Sequence, residues 1–171
     1  MVRADRVIPL VAPAQAERLA RRRNSTERAL WDVLDAVCDP EIPVLSLWDL
    51  GVLRDVRRDG EHVTVELTPT YSGCPAFEAM ADAVREALAS AGHRNVRIVT
   101  RLAPAWTTDW LDADARERLR QHGIAPPERG VRCPQCGATD TRLTSEFAAT
   151  ACLALYRCNE CAEPFHHFKA I

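Results

Sequence analysis

No run of the chain is apolar for long enough to cross a bilayer, and no N-terminal stretch carries the apolar core and cleavage site of a secretory signal. Charge of one sign is scarce too. The formal net charge is −2 over 171 residues, which gives no electrostatic case for a nucleic-acid or membrane partner. There are not two Glu-x-x-His motifs of the kind that facing helices use to hold two irons, and there is no glycine fingerprint for a dinucleotide. Oxygen activation and NADPH binding are therefore not expected of this chain. An even disulfide framework is missing as well: seven cysteines is an odd number, and four of them fall in two C-x-x-C pairs. That usage fits metal sites in a reducing compartment, and the cytoplasm is the expected location.

What is present is ordinary for a globular protein, with 47% hydrophobic and 27% charged residues, enough for one packed domain and a small module. Residues 1–24 hold Pro9, Pro13, an alanine-rich stretch and Arg21-Arg22-Arg23, and read as a mobile arm with a short helix at 14–23. Leu30, Val33, Leu34 and Val37 make one apolar stripe, so a helix is expected over 26–38, stopped by Pro40. A stiff loop follows to Gly51, with Asp39 and Glu41 held close together by two prolines. Residues 52–58 and 62–68 flank Asp59-Gly60, a turn signal for a hairpin.

The centre of the chain is Thr68-Pro-Thr-Tyr-Ser-Gly-Cys-Pro75. Val63, Val65 and Leu67 alternate before it as a half-buried strand, and Phe77, Met80, Ala81, Val84 and Leu88 recur after it at helical spacing. With Pro75 in the first helical turn, Cys74 is expected at or beside the N-cap, facing free backbone N–H groups that favour a thiolate. The polar run of Thr68, Thr70 and Ser72 favours a reactive thiol over a small buried one. Gly92 ends this helix, and Val96, Ile98 and Thr100 alternate as a third strand. Trp106 and Trp110 read as lids over the core edge or as a partner surface. Asp112 caps a last helix to about His122, stopped at Gly123 with Ile124 as its hydrophobic latch. A linker at 126–130 then separates an α+β domain at 25–125 from a module at 131–171.

That module carries the most specific signal. Cys133-Pro-Gln-Cys136 and Cys158-Asn-Glu-Cys161 each form a turn presenting two thiolates, and two such turns complete a tetrahedral site. The expectation is a small all-β ribbon around structural zinc; a rubredoxin-like iron or a pair of disulfides is the alternative. Gly137 permits positive φ after the second ligand, and Ala162 departs at the equivalent place. Cys152, outside both pairs, reads as packing, and His166 and His167 as surface residues.

Asp39-Pro-Glu-Ile-Pro, Asp49-Leu-Gly51 and Thr68-x-Thr-x-x-x-Cys74-Pro stand in one order, and with them residues 26 to about 105 resemble the metal–sulfur cluster assembly domain family. Ala105-Trp-Thr-Thr-Asp-Trp110 and the stretches Ser145–Cys152 and Leu155–Cys158 are similar to the D-subunit family of bacterial phenylacetyl-CoA epoxidase systems. The resemblance implies a small α+β domain whose members help insert iron–sulfur clusters. It places Asp39 and Glu41 on an acidic loop, with Thr70 near a reactive Cys74, and Cys133, Cys136, Cys158 and Cys161 on the ribbon. Leu153 stands where the family usually has lysine and Ala170 where it often has cysteine, which weakens any ligand role for Cys152 or the tail.

The function expected is a non-catalytic maturation subunit of an aerobic phenylacetyl-CoA epoxidase, with Cys74, and Asp39 beside it, transiently holding iron or a cluster. The partners so implied are a di-iron oxygenase subunit and a flavin/iron–sulfur reductase. One soft site does not close a four-ligand cluster, so a bridge to a client or to a second copy, a homodimer, is physically reasonable. The alternative is an interaction subunit with no metal-transfer role, docking through the tryptophan loop and ribbon. A thiol enzyme would need a histidine base, and His62 and His93 carry no local signature for it. Glu128, Glu146, Glu160 and Glu163 argue against a nucleic-acid-binding face.

Overall fold

The computed structural model describes residues 13–71, 73–128 and 130–171. Strand β1 (Leu53–Asp59) and strand β2 (His62–Leu67) form the expected hairpin, but its turn is Gly60-Glu61, one residue later than Asp59-Gly60. Asp59 still pairs with His62 as the last rung, and Gly60 takes the positive φ of 58°. Helix α3 (Phe77–Ser90) then carries the chain over to β3 (Asn95–Thr100), which lies parallel to β2. The sheet order β1-β2-β3 puts β2 at the centre. Its Val63, Val65 and Leu67 meet Met80, Val84 and Leu88 of α3 in one buried core. That agrees with the periodicity in both elements.

Helix α2 spans only Arg28–Leu34 rather than 26–38. Leu47 N–H donates to the Val37 carbonyl at 2.8 Å, and Cys38 bridges Ser46, so the chain must leave the helix before Pro40 to make this antiparallel contact. The loop from Asp39 to Gly51 is irregular, as expected.

The mobile arm is corrected for residues 13–24; residues 1–12 lie outside the described residues. Helix α1 (Pro13–Asn24) docks on the sheet through two buried polar side chains. Gln15 donates to the Trp110 carbonyl at 2.9 Å, and Arg18 donates to the Trp48 carbonyl at 2.6 Å. The Arg18 guanidinium also lies 3.8 Å above the centre of the Trp48 ring. Burial, with Arg54 adding repulsion, brings its pKa down to about 10. Arg21 and Arg22 of the basic run pair with Glu17, Asp55 and Asp35.

The tryptophans are neither lids nor a partner surface. Trp106 is 5% and Trp110 2% exposed, both inside the main core. The Trp106 indole donates to the Leu50 carbonyl at 2.9 Å. A Cβ on Gly51 would stand 3.1 Å from the Trp110 ring, so the loop closes on that ring through a residue without a side chain at φ +84°.

Helix α4 (Ala113–Gln121) starts where its cap predicts, with the Asp112 carboxylate accepting from Ala115 N–H at 2.8 Å. Gly123 follows at φ 75°. The next residues revise the expected boundary at 126–130. Ile124–Ala125 is strand β4, and it pairs with β7 (Pro164–Phe168) in the second sheet, order β4-β7-β6-β5. Strands β5 (Thr141–Ser145) and β6 (Leu153–Cys158) complete it. Leu153 and Phe168 are buried in the α+β core, and Phe168 stands 5.9 Å from Trp106, ring centre to ring centre. The ribbon is fused to the larger unit through shared apolar contacts, not tethered to it by a linker.

Candidate functional site

The four ribbon cysteines converge as expected. Their sulfurs all lie within 4.8 Å of one another, with Cys133–Cys161 and Cys136–Cys158 at 3.6 Å. Tetrahedral bonds of about 2.3 Å would set sulfurs roughly 3.8 Å apart, so the donor set fits one soft divalent ion. Gly137 N–H donates to the Cys133 carbonyl at 2.9 Å and Cys158 N–H to the Glu163 carbonyl at 3.0 Å, which closes both turns. Ala162 takes the same left-handed φ as Gly137, 64° against 77°, so the alanine keeps the turn at a local steric cost. Cys158 is pulled down to about 7, first of all by the backbone N–H of Cys161, which approaches its sulfur to 3.5 Å. His166 is exposed, whereas His167 is buried, which corrects the surface reading for the latter. His167 packs edge-on to Tyr156 with neither ring nitrogen hydrogen-bonded, and burial pushes its pKa down.

Cys74 sits elsewhere, in the loop between β2 and α3. Its N–H donates to the Tyr71 carbonyl and its own carbonyl accepts from Phe77, both at 3.2 Å. This turn delays the helix, so the N-cap is Ala76, two residues past Cys74, and Pro75 lies in the turn before the cap and not in the first helical turn. The thiol is half-buried on the wall of a hollow of about 390 Å³, with Pro69, Phe77, Thr100 and Leu102 around it. A second hollow, of about 240 Å³, shares Pro69 and Leu102 and is lined by Thr68, Thr70 and Tyr71. The Thr68 and Thr70 hydroxyls are buried with no hydrogen-bond partner. A ligand oxygen or water is what such orphaned groups lack.

The acidic pair divides. Asp39 is buried, and its Oδ1 accepts from the N–H of Glu41 at 2.9 Å and of Ile42 at 2.8 Å. Burial raises its pKa against those two bonds. One carboxylate oxygen is thus spent on the shape of its own loop. Glu41 is exposed. Asp49 is structural: burial would raise its pKa, but Arg118 at 2.9 Å and the Ser46 hydroxyl at 2.7 Å hold it below the usual carboxylate range.

Cys152 reads as packing in the sequence, and its burial agrees with that. It is buried in the α+β core, with the Thr150 hydroxyl at 3.1 Å from its sulfur. Burial raises its pKa, and the negative charges of Asp39 and Cys74 raise it further.

Comparison with known proteins agrees with this two-part architecture. Residues 27–100 match the family described as iron-sulfur cluster assembly protein, and residues 120–169 match the PaaD zinc beta ribbon domain. An Escherichia coli protein, named as the putative D-subunit of 1,2-phenylacetyl-CoA epoxidase, is 49% identical over 164 residues, covering 91% of this chain and 99% of its own length. A "Fe-S protein maturation auxiliary factor" of Porphyromonas gingivalis is 38% identical over 97 residues, 55% of this chain and 90% of that one. The crystal structure of a domain of unknown function, DUF59, from Bacillus anthracis superposes with a TM-score of 0.50 at 25% identity, over 54% of this chain and 90% of that chain. At nearly half identity along almost its whole length, the chain belongs to the D-subunit family of phenylacetyl-CoA epoxidases, an iron–sulfur cluster assembly domain fused to a zinc beta ribbon.

Proposed function

We propose that the protein is a non-catalytic maturation component of a phenylacetyl-CoA epoxidase system, with Cys74 as the group that transiently holds iron or an iron–sulfur cluster for a partner subunit. One contrast carries this reading. The ribbon thiols close on one another, whereas Cys74 lines an open hollow, and two buried hydroxyls without partners line a second hollow that shares Pro69 and Leu102 with it. Closed thiolate sets retain a metal; a half-exposed thiol with open positions around it can hand one over. Transfer exchanges the sulfur–metal bond of Cys74 for a bond to a client ligand, and the proton of that ligand passes to the freed thiolate. In the ribbon, Cys133, Cys136, Cys158 and Cys161 would hold zinc, which supplies folding energy and takes no part in transfer.

The interaction-subunit alternative rests on the tryptophan loop and the ribbon; the burial of Trp106 and Trp110 removes the first of these surfaces and leaves the ribbon as its basis. The deciding experiment uses cells carrying Cys74→Ser. The epoxidase proteins should accumulate, while the reductase or oxygenase purified from those cells carries less iron and growth on phenylacetate stops. Full iron in both partners, with growth retained, would reject the maturation role.

A further inference from the structure

We propose that the free edge of β3 is a docking strand: an extended, acidic segment of a client protein pairs along it and brings a cysteine of its own to Cys74. The inference rests on the transfer reading of Cys74 given above. In the order β1-β2-β3, the β1 edge lies under α1, with Leu53–Val56 buried and Asp55 paired to Arg21 at 3.4 Å. Among the described residues no strand pairs with the other edge. Arg101 N–H carries the ladder with β2 past Thr100, donating to the Leu67 carbonyl at 2.8 Å. Backbone groups point alternately to the two sides of a strand, so the N–H and carbonyl groups of Val96, Ile98 and Thr100 face outward. Such a row is a template for one more strand.

The edge runs into the Cys74 site. Thr100, the last residue of β3, and Leu102 line the same hollow of about 390 Å³ as Cys74. Leu102, just past the strand, is 63% exposed, an apolar side chain left uncovered at the end of the edge. The charges choose the occupant. From Gly92 to Thr108 the chain holds His93, Arg94, Arg97 and Arg101 and no acidic side chain. Arg101 is engaged by Glu66 at 2.8 Å, whereas Arg94 and Arg97 are exposed and, among the described residues, pair with no carboxylate. A second copy of β3 would bring these like charges together, which disfavours self-pairing. A segment with acids at alternate positions sets opposite charges there instead. A client that receives iron or a cluster also needs a soft ligand, and a cysteine at the end beside Thr100 supplies it.

The test uses the full chain with its ribbon metal retained and Cys38→Ala removing the exposed thiol. The probes are two synthetic peptides of alternating glutamate and valine, with one cysteine at the C-terminal end or at the N-terminal end. Each cysteine is carried as a thiopyridyl mixed disulfide. Attack of the Cys74 thiolate on the peptide sulfur forms the new S–S bond and expels pyridinethione, whose absorbance gives the rate. One of the two peptides should label Cys74 saturably and about tenfold faster than thiopyridyl cysteine alone. Ile98→Pro removes an outward N–H and no bond to β2, so the fold, followed by circular dichroism, should survive while the rate advantage is lost. Because the Ile98 side chain also packs on the core, Arg97→Glu supplies an independent arm. It should lose the advantage with the glutamate peptide and recover it with a lysine counterpart, a charge swap that misfolding does not produce. Equal labelling of the parent and both variants, or no advantage of either peptide, would overturn the inference. The transfer reading would stand apart from that failure, since the iron content of partner subunits from Cys74→Ser cells decides it. A peptide-free dimer that Ile98→Pro dissociates would give the edge to a second copy and overturn the inference as well.

Discussion

At the scale of single residues, the same side-chain type serves opposite ends according to what surrounds it. Asp39 and Asp49 both lie in the loop between α2 and β1, but burial dominates one and Arg118 the other. Because the folded pKa of Asp49 is depressed, its contribution is complete above its unfolded value, near 3.9, and is lost as pH falls through the folded value. Asp49→Asn should cost about 1–2 kcal/mol at neutral pH, allowing for the partial exposure of Arg118. Its stability should also change less than that of wild type below about pH 4. Urea unfolding at several pH values checks both parts; parallel acid limbs would show that the Arg118 pair contributes nothing. Cysteine varies in the same way. Tetrad, half-buried loop and buried seam give three kinds of thiol, and only the tetrad is announced by spacing.

At the scale of elements, strong local periodicity is enough for β2, α3 and β3, and cap chemistry is enough for α4. The bounds that moved did so for non-local reasons. Helix α2 is cut short by the bridge between Cys38 and Ser46, and the start of α3 is delayed by the turn around Cys74. Helix α1 is a polar sequence whose docking depends on Arg18 reaching Trp48, a contact that no window of neighbouring residues encodes. Trp106 and Trp110 are ambiguous for the same reason, since a tryptophan in an irregular segment reads alike whether it caps a core or fills one. Their burial changes what substitution should do. Trp110→Ala should destabilise the fold by about 3–5 kcal/mol. Gly51→Ala, which forces a side chain toward that ring at positive φ, should cost about 1–2 kcal/mol. Thermal unfolding of the isolated protein measures each. Wild-type stability in Trp110→Ala with lost partner binding would restore the docking role.

At the scale of the whole molecule, the metal-binding pattern is legible in the sequence and its reach is not. Four cysteines at knuckle spacing indicate a ribbon, but its sheet also recruits Ile124–Ala125 and its Leu153 and Phe168 complete the first core. Cys158→Ser should therefore release the ribbon metal and weaken the α+β unit with it. Calorimetry should record one transition for the metal-loaded chain and a lower, broader one for the variant, while elemental analysis shows the metal gone. Two independent transitions in the loaded protein would mean that the seam is energetically weak.

The position of Phe168 in that seam also orders events during synthesis. A ribosome delivers α2, the β1–β2 hairpin and α3 long before β7, so the early part of the chain waits with an apolar face that only later residues cover. Closure of the first domain thus depends on completion of the last hairpin, which needs its ion. A cell short of the metal that the ribbon takes should, at that moment, accumulate the polypeptide bound to chaperones or as aggregates.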